Sequence, residues 1–275
     1  MKRRTVFFAS DQTGITAETL GRSLLAQFES MQFRQVTLPF ISTLDKAKEA
    51  VRRINLTAQV EGSTPVVFAT FAQRDLRDAV AQCNGLFLDF FDAFIGPLEQ
   101  AFDTRSSHRS GRTHGGIADE SYQRRIDAMN YALAADDGIN IRNYEKADVI
   151  LIGVSRTGKT PTCLYLALHY GIYAANYPLT DENFENGDLP SSLKKVNSKL
   201  FGLTIDPEHL RQIRIERRPD SRYASIQQIS FELREAMALY RRYGIPWLET
   251  TNISVEEISS TIMDRMELER GVAAR

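Results

Sequence analysis

Short apolar runs alternate with amphipathic stretches along the first hundred residues. The runs are typical of buried strands, whereas the stretches repeat apolar side chains at helical spacing, as at Ala47, Ala50 and Ile54. The pattern predicts strands at 5–9, 35–41, 64–70 and 86–91 and helices at 16–28, 45–56, 73–82 and 92–102. Because short apolar strands that alternate with helices form parallel sheets, the fold class is predicted as α/β, with helices on both faces of the sheet.

A polar segment interrupts this alternation. Residues 104–120 read TRSSHRSGRTHGGIADE, which is rich in Ser, Gly and Arg and poor in apolar side chains. Such a composition indicates a linker or loop. The sequence therefore predicts a smaller amino-terminal α/β domain at 1–103, a linker at 104–120 and a second domain at 121–275. No internal repeat of fixed period is visible.

The alternation resumes in the second half. Ser254, with Glu257 three residues later, forms a capping box before the last predicted helix. The pattern predicts strands at 148–154, 172–179, 200–205 and 245–249, and helices at 122–135, 160–170, 208–217, 227–243 and 254–268. A second parallel α/β sheet follows.

Composition and charge exclude several classes of protein. The 275 residues carry a net charge of −1, so no overall positive field favours nucleic acid or an anionic membrane. No apolar run approaches the roughly 18 residues that cross a membrane. Without an export signal, Cys83 and Cys163 are expected to be reduced thiols in a cytoplasmic protein. A homo-oligomer is compatible with these data.

The strongest chemical signal is a phosphate loop between the strand at 148–154 and the helix at 160–170. The motif G-x-x-x-x-G-K-[ST] is matched without substitution by Gly153, Val154, Ser155, Arg156, Thr157, Gly158, Lys159 and Thr160. Loop N–H groups and the helix N-terminus attract phosphate. Lys159 is placed for the terminal phosphates and Thr160 for Mg²⁺. The loop predicts nucleotide binding, but it does not distinguish a kinase, an NTPase and a nucleotide sensor.

Acidic residues supply candidates for the remaining Mg²⁺ ligand and for catalysis. Asp206 follows the strand at 200–205; its alternative role is to open the next helix before Pro207. Asp89 is a weaker candidate. The triplet 136–138, Asp-Asp-Gly, is either a metal or base site or a turn that ends a helix.

Basic residues supply candidates for an anion pocket. On the predicted helix at 208–217 and just beyond it lie Arg211, Arg214, Arg217, Arg218 and Arg222. The guanidinium fork matches phosphate geometry, so this group is a candidate phosphate site; the alternative is a solvated helix face.

Two further sites come from loops. His114, in the polar segment, is a candidate general base or phosphate contact. The stretch 10–16, SDQTGIT, follows a strand and opens a helix. It therefore lies at the carboxyl end of a strand, where parallel sheets bind ligands, or it is only a capped turn.

The whole pattern resembles the bacterial and plant regulatory proteins that act on pyruvate,phosphate dikinase and phosphoenolpyruvate synthase. The resemblance covers nearly the full chain, and it is closer to the branch that regulates the synthase. The segments that carry it are SDQTGITAETLG at 10–21, TLPF at 37–40, RTHG at 112–115, DDGIN at 136–140, ADVILIGVSRTGKTPT at 147–162, AANYPL at 174–179, LFGLTIDPEHL at 200–210, ERRPDSRYAS at 216–225 and IPWLETTNISVEEIS at 245–259.

This resemblance implies a bifunctional enzyme with a P-loop kinase-like catalytic domain. Such proteins phosphorylate a threonine of the target with ADP as donor, and they remove that phosphate with inorganic phosphate as acceptor, releasing pyrophosphate. It implies that residues 153–160 hold ADP, with Mg²⁺ on Thr160. Arg156, His114 and the arginines at 211–222 are candidates for the second anion pocket. The alternatives are the same chemistry on the dikinase, a small-metabolite kinase that uses ATP, and a nucleotide sensor.

Overall fold

The structure is a computed structural model that describes residues 3–107, 120–139, 141–219 and 221–269. The chain divides into two compact units, Met1–Gly115 and Gly116–Arg275. This division lies within the segment 104–120 that the sequence predicts as a linker.

The amino-terminal unit alternates strands and helices without exception. Its elements are β1 (Arg3–Ser10), α1 (Ile15–Leu25), β2 (Gln32–Leu38), α2 (Leu44–Glu61), β3 (Val66–Thr70), α3 (Arg74–Val80), β4 (Leu86–Asp89) and α4 (Phe90–Phe102). The strands form one parallel sheet in the order β2-β1-β3-β4.

Helices cover both faces of this sheet. Along β1, Val6 and Phe8 pack with α1, whereas Phe7 and Ala9 pack with α2 and α3. All four side chains are buried, as expected for a central strand of a parallel sheet.

The second unit contains the remaining strands and helices. Its elements are α5 (Glu120–Ala134), β5 (Val149–Gly153), α6 (Lys159–Tyr165), β6 (Ala174–Pro178), α7 (Asp181–Asn186), α8 (Ser191–Lys194), β7 (Leu200–Thr204), α9 (Pro207–Arg217), α10 (Ile226–Tyr243), β8 (Trp247–Glu249) and α11 (Val255–Arg265). Its parallel sheet has the order β6-β5-β7-β8.

Alternation along β5 again gives two cores. Val149 and Leu151 face the side covered by α6 and α11, while Ile150 and Ile152 face the side covered by α9 and α10. The predicted α/β class, with helices on both faces of parallel sheets, is confirmed. The capping box of Ser254 and Glu257 opens α11 as predicted.

The structure differs from the prediction mainly in short elements. The helix predicted at 160–170 is α-helical only to Tyr165 and continues as a π-helical turn over Leu166–Tyr170. The helices α7 and α8 were not predicted because they are too short to show a periodic apolar stripe. The triplet Asp136–Gly138 is a 3₁₀ turn after α5.

Each unit holds one buried, unpaired cysteine: Cys83 in the first core and Cys163 on α6 in the second. Burial raises the pKa of both thiols. Among the described residues, no helix combines the length and apolar character that crossing a membrane requires.

Candidate active site

The phosphate loop lies where the second sheet reverses its strand order. β5 is followed in the chain by its neighbour β6 and is paired on its other side with β7. The helix after β5 covers one face of the sheet and the helix after β7 covers the other face. This arrangement leaves a crevice at the carboxyl ends of β5 and β7, which is where open α/β sheets bind ligands.

Two glycines are required by the geometry of the loop. A Cβ on Gly153 would lie 2.6 Å from the carbonyl oxygen of Leu203 on the neighbouring strand, so no larger residue fits. Gly158 has φ 88° and caps the N-terminus of α6 in the left-handed conformation. The motif glycines therefore serve close packing at one end of the loop and a left-handed turn at the other.

The centre of the loop is held by hydrogen bonds. The Thr157 hydroxyl donates to the Val154 carbonyl oxygen at 3.1 Å. The Thr250 hydroxyl, just after β8, lies 3.3 Å from the Thr157 carbonyl oxygen and 3.0 Å from that of Thr204. Arg156 is exposed and has φ 76°, an uncommon conformation for a residue with a side chain. The loop is thus a fixed turn with an arginine at its surface.

Lys159 points back into the loop. Its side chain is buried, with 5 % of the residue exposed, and Nζ donates to the Val154 carbonyl oxygen at 2.8 Å. Burial lowers the pKa of Lys159 to about 8, while the charges of Asp137 and Asp136 act in the opposite direction. An ammonium group in this position can contact a phosphate held by the loop.

Thr160 contacts a carboxylate that is distant in sequence. Its hydroxyl donates to Asp136 Oδ1 at 2.9 Å. Asn176, fully buried on β6, donates to the same oxygen, and its own Oδ1 accepts the Asp137 N–H at 3.1 Å. Asp136 is therefore anchored beside the first turn of α6.

These oxygen donors fit a magnesium ion. Mg²⁺ prefers oxygen ligands, and in nucleotide sites it is held by one or two carboxylates together with phosphate oxygens and water. The Thr160 hydroxyl and the carboxylate of Asp136 belong to this ligand class. Within the described residues, no group of three or more His, Cys, Asp and Glu side chains could hold a metal ion alone. A metal at this site would take its remaining ligands from phosphate and water.

Comparison with known proteins finds a match over most of the chain. A family model described as kinase/pyrophosphorylase matches residues 6–263. The chain belongs to the kinase/pyrophosphorylase family. The description of the family implies phosphotransferase activity, which agrees with a phosphate loop that carries a buried lysine.

Relatives in the kinase/pyrophosphorylase family match the chain from end to end. A protein of Hahella chejuensis is 51% identical over 270 residues, which cover 98% of this chain and 99% of the relative. Proteins of Stutzerimonas stutzeri and Pseudomonas aeruginosa are 51% and 52% identical over 273 residues, covering 99% of this chain and 99% and 98% of the relatives. All three carry the provisional name phosphoenolpyruvate synthase regulatory protein.

The structure separates the arginines that the sequence groups together. Arg214 is fully buried and forms an ion pair with Glu232 at 2.7 Å. Arg211, Arg217, Arg218 and Arg222 are exposed. Neither a solvated face nor a single pocket describes all of them, because packing of α9 buries Arg214 while Arg211, one turn earlier on the same helix, stays exposed. The exposed arginines remain candidates for phosphate binding in this member of the family.

The other predicted residues are placed as follows. Asp206 follows β7 and caps α9, with its carboxylate accepting the His209 N–H at 3.0 Å. Its alternative role as an N-cap is therefore present, and its catalytic and Mg²⁺ roles stay predictions. Asp89 belongs to the other unit, where it caps α4 and where burial raises its pKa. His114 lies outside the described residues.

The sequence left the triplet that contains Asp136 open, as either a metal or base site or a turn. The triplet 136–138 shows a carboxylate pair after a helix, but such a pair also fits an ordinary turn. Only the fold brings Asp136 to Thr160, since 24 residues separate them.

Proposed function

We propose that this chain is a bifunctional regulator of phosphoenolpyruvate synthase. In one direction it transfers the β-phosphoryl group of ADP to a threonine of that enzyme, which inactivates the target and leaves AMP. In the other direction it transfers the phosphoryl group from phosphothreonine to inorganic phosphate, which restores the threonine and releases pyrophosphate. The observation that carries this proposal is the end-to-end similarity to proteins named as regulators of this synthase, within a kinase/pyrophosphorylase family.

The phosphate loop is the proposed ADP site. Loop N–H groups and the N-terminus of α6 hold the phosphates. Lys159, released from the Val154 carbonyl oxygen, neutralises the charge that develops on the transferring group. Because Lys159 already lies inside the loop, little reorganisation is needed when phosphate enters.

Thr160 and Asp136 are the proposed Mg²⁺ ligands. Asp136 accepts a hydrogen bond from the Thr160 hydroxyl, which turns the oxygen lone pairs of that hydroxyl away from the carboxylate. A bound Mg²⁺ would neutralise phosphate charge. Asp206 stays a further proposed ligand or base at the end of the adjacent strand.

Phosphoryl transfer also needs a general base and a positively charged group that stabilises the transferring phosphoryl group. The threonine oxygen of the target forms the new bond to phosphorus, its proton moves to a base, and the bond from phosphorus to the AMP oxygen breaks. We assign the stabilising positive charge to Arg156, at the surface of the loop, and retain Asp206 and His114 as candidate bases. The exposed arginines of the 211–222 group are the proposed contacts for inorganic phosphate.

The decisive experiment uses ADP labelled in its β-phosphate. Purified chain is mixed with phosphoenolpyruvate synthase, with pyruvate,phosphate dikinase, or with no target, and ATP labelled in its γ-phosphate is the matched donor control. We expect label on the synthase with ADP only, and labelled pyrophosphate after inorganic phosphate is added. Label on the dikinase alone would change the target, and binding without transfer would leave a nucleotide sensor.

A second experiment tests the phosphate pocket. Single Arg→Ala changes at Arg211, Arg217, Arg218 and Arg222 are assayed in both directions with phosphate varied. Loss of one charged contact should raise the phosphate requirement about 10-fold, while the ADP-dependent direction falls less. If a change lowers the rates of both directions equally, the residue instead stabilises the transferring phosphoryl group in both directions.

A further inference from the structure

A buried arginine reaches the phosphate loop from α9. Arg214 Nη2 donates to the Ser155 carbonyl oxygen at 3.1 Å and to Glu232 Oε2 at 2.7 Å. Its Nη1 donates to the Tyr223 carbonyl oxygen at 3.0 Å. The guanidinium also lies over the ring of Tyr223, 4.2 Å from its centroid.

The same tyrosine contacts the loop a second time. The Tyr223 hydroxyl lies 3.0 Å from Ser155 Oγ. Ser155 is therefore held at its main chain by Arg214 and at its side chain by Tyr223. We call Arg214, Tyr223 and Glu232 the Ser155 clamp.

The clamp acts beside the strained residue of the loop. Arg156 follows Ser155 directly and has φ 76°. A side chain in this region is strained and persists only where its surroundings enforce the conformation. Alternating right- and left-handed residues also turn successive N–H groups toward one point, which is how a main chain binds an anion. The left-handed conformation of Arg156 is therefore compatible with binding of an anion by the main chain.

The composition of the clamp argues against a purely structural role. Gln228 Nε2 donates to Glu232 Oε1 at 3.1 Å, so Glu232 is fixed while it holds Arg214. Among the described residues, the buried Nε of Arg214 has no acceptor. Apolar residues of similar volume often stabilise a core at least as well as a buried ion pair. A geometric role for the guanidinium fork accounts for its presence better than stability does.

We propose that the Ser155 clamp is a positioning device that holds the phosphate loop in its anion-binding conformation. Arg214 and Tyr223 act through Ser155 and do not touch the substrate. The proposal rests on the proposed function only in taking this loop as the nucleotide site.

The test is a double-mutant cycle on ligand binding. ADP and inorganic pyrophosphate are titrated calorimetrically into the full-length wild type, Tyr223→Phe, Ser155→Ala and the double variant. Each single change should weaken binding by about 3- to 10-fold, the range of one hydrogen bond. The double variant should bind no more weakly than the weaker single variant, because both changes remove the same contact.

Tyr170→Phe is the matched control, since it removes a tyrosine hydroxyl whose partner is Ser260 rather than the loop. We expect its affinities to equal those of the wild type. The melting temperature of Tyr223→Phe should stay close to that of the wild type, and its KM for ADP should rise more than its kcat falls. Unchanged affinity in Tyr223→Phe, or additive losses in the double variant, would overturn the clamp.

Arg214→Lys extends the test. A lysine cannot contact Ser155, Tyr223 and Glu232 with one planar fork, so binding should weaken more than 10-fold. If this variant does not fold, the cycle on Tyr223 and Ser155 still decides. A cycle that behaves as expected without phosphoryl transfer would overturn the proposed function alone. A wild type that binds neither ADP nor pyrophosphate would overturn both.

Discussion

The two units of the chain share one strand order, but the motif G-x-x-x-x-G-K-[ST] occurs in the sequence of the second unit and not in that of the first. Both sheets have the same strand order, and in both a loop follows the first central strand. Gly14 (φ 80°) and Gly158 (φ 88°) cap the next helix in the left-handed conformation. Thr16 and Thr160 occupy the second position of that helix. The strand order and the backbone conformation of these glycines therefore do not distinguish the two loops.

The two loops differ in their side chains. In the first unit the buried carboxylate of Asp11 accepts the Ala72 N–H at 3.0 Å, and Ser10 Oγ accepts the Gln12 N–H at 3.1 Å. Ile15, 59 % exposed, occupies the position of Lys159. A carboxylate does not attract phosphate, whereas a buried ammonium does. The two loops therefore differ in side-chain charge rather than in topology, and it is this charge that favours phosphate at the second loop.

Replacing Lys159, which follows Gly158, should have the largest effect on activity. Lys159→Ala should lower phosphoryl transfer in both directions by on the order of 10²–10³-fold, because one preorganised charge is lost. The matched variant Ile15→Ala should leave ADP affinity unchanged. The rates are measured with labelled ADP and labelled phosphothreonine protein. Near-wild-type transfer by Lys159→Ala would remove the lysine from the mechanism.

The protonation state of Lys159 should make phosphoryl transfer depend on pH. Its pKa is lowered to about 8 by burial, so the charged form is lost as the pH rises through 8. We expect kcat/KM for ADP to fall about tenfold per pH unit above this value. A flat profile between pH 7 and 9.5 would contradict the assignment.

The same group should affect stability in the opposite sense. The unfolded chain keeps the Lys159 proton up to the ordinary lysine pKa of 10.5, whereas the folded chain releases it near 8. Because the unfolded state then binds more protons, the free energy of unfolding gains a contribution as pH rises from 8 toward 10.5. Urea unfolding at about pH 7.5 and 9.5 measures this gain, and Lys159→Met should lack it.

A carboxylate in each unit provides the next contrast. Asp136→Asn removes the charge beside Thr160 and should raise the Mg²⁺ concentration needed for half-maximal transfer about tenfold, the usual cost of losing a metal-site partner. Asp11→Asn should destabilise the first unit without changing the Mg²⁺ requirement. Transfer rates with Mg²⁺ varied give the comparison. Equal Mg²⁺ curves for the wild type and Asp136→Asn would exclude a metal role for Asp136.

Substitution of Gly14 or Gly158, which both have positive φ, should have the smallest effect. Gly14→Ala and Gly158→Ala should each lower the free energy of unfolding by about 1–2 kcal/mol, because a Cβ disfavours positive φ. Only Gly158→Ala should also weaken ADP binding. Urea unfolding and calorimetry measure both quantities. Weaker ADP binding in Gly14→Ala would show that the first loop takes part in the nucleotide site.

The sequence predicts most of the fold because apolar periodicity is a local signal. Every strand of both sheets was predicted within a few residues, and the motif at 153–160 identified the loop. Of its glycines, Gly158 has a local role in the turn, whereas Gly153 is required by the close approach of Leu203 on the neighbouring strand. The short helix Asp181–Asn186 was not predicted, since six residues show no helical stripe.

The remaining part of the site depends on contacts between distant residues. The regular spacing of Arg211 and Arg214 suggested one common face, but packing of α9 against the sheet buries only Arg214. The pairing of Asp136 with Thr160, and of Arg214 with Ser155, spans 24 and 59 residues. Periodicity and motif spacing carry no information about such pairs, so the partners become visible only in the folded chain.

The single sealed thiol in each unit has a practical consequence. Cys83 and Cys163 are the chain's two cysteines, and a thiol that is buried with a raised pKa reacts with alkylating reagents only when its surroundings open. Peptide-resolved alkylation would therefore time the opening of each unit separately in the intact, unmutated chain. Cys83 would report on the first unit and Cys163 on the unit that contains the motif at 153–160.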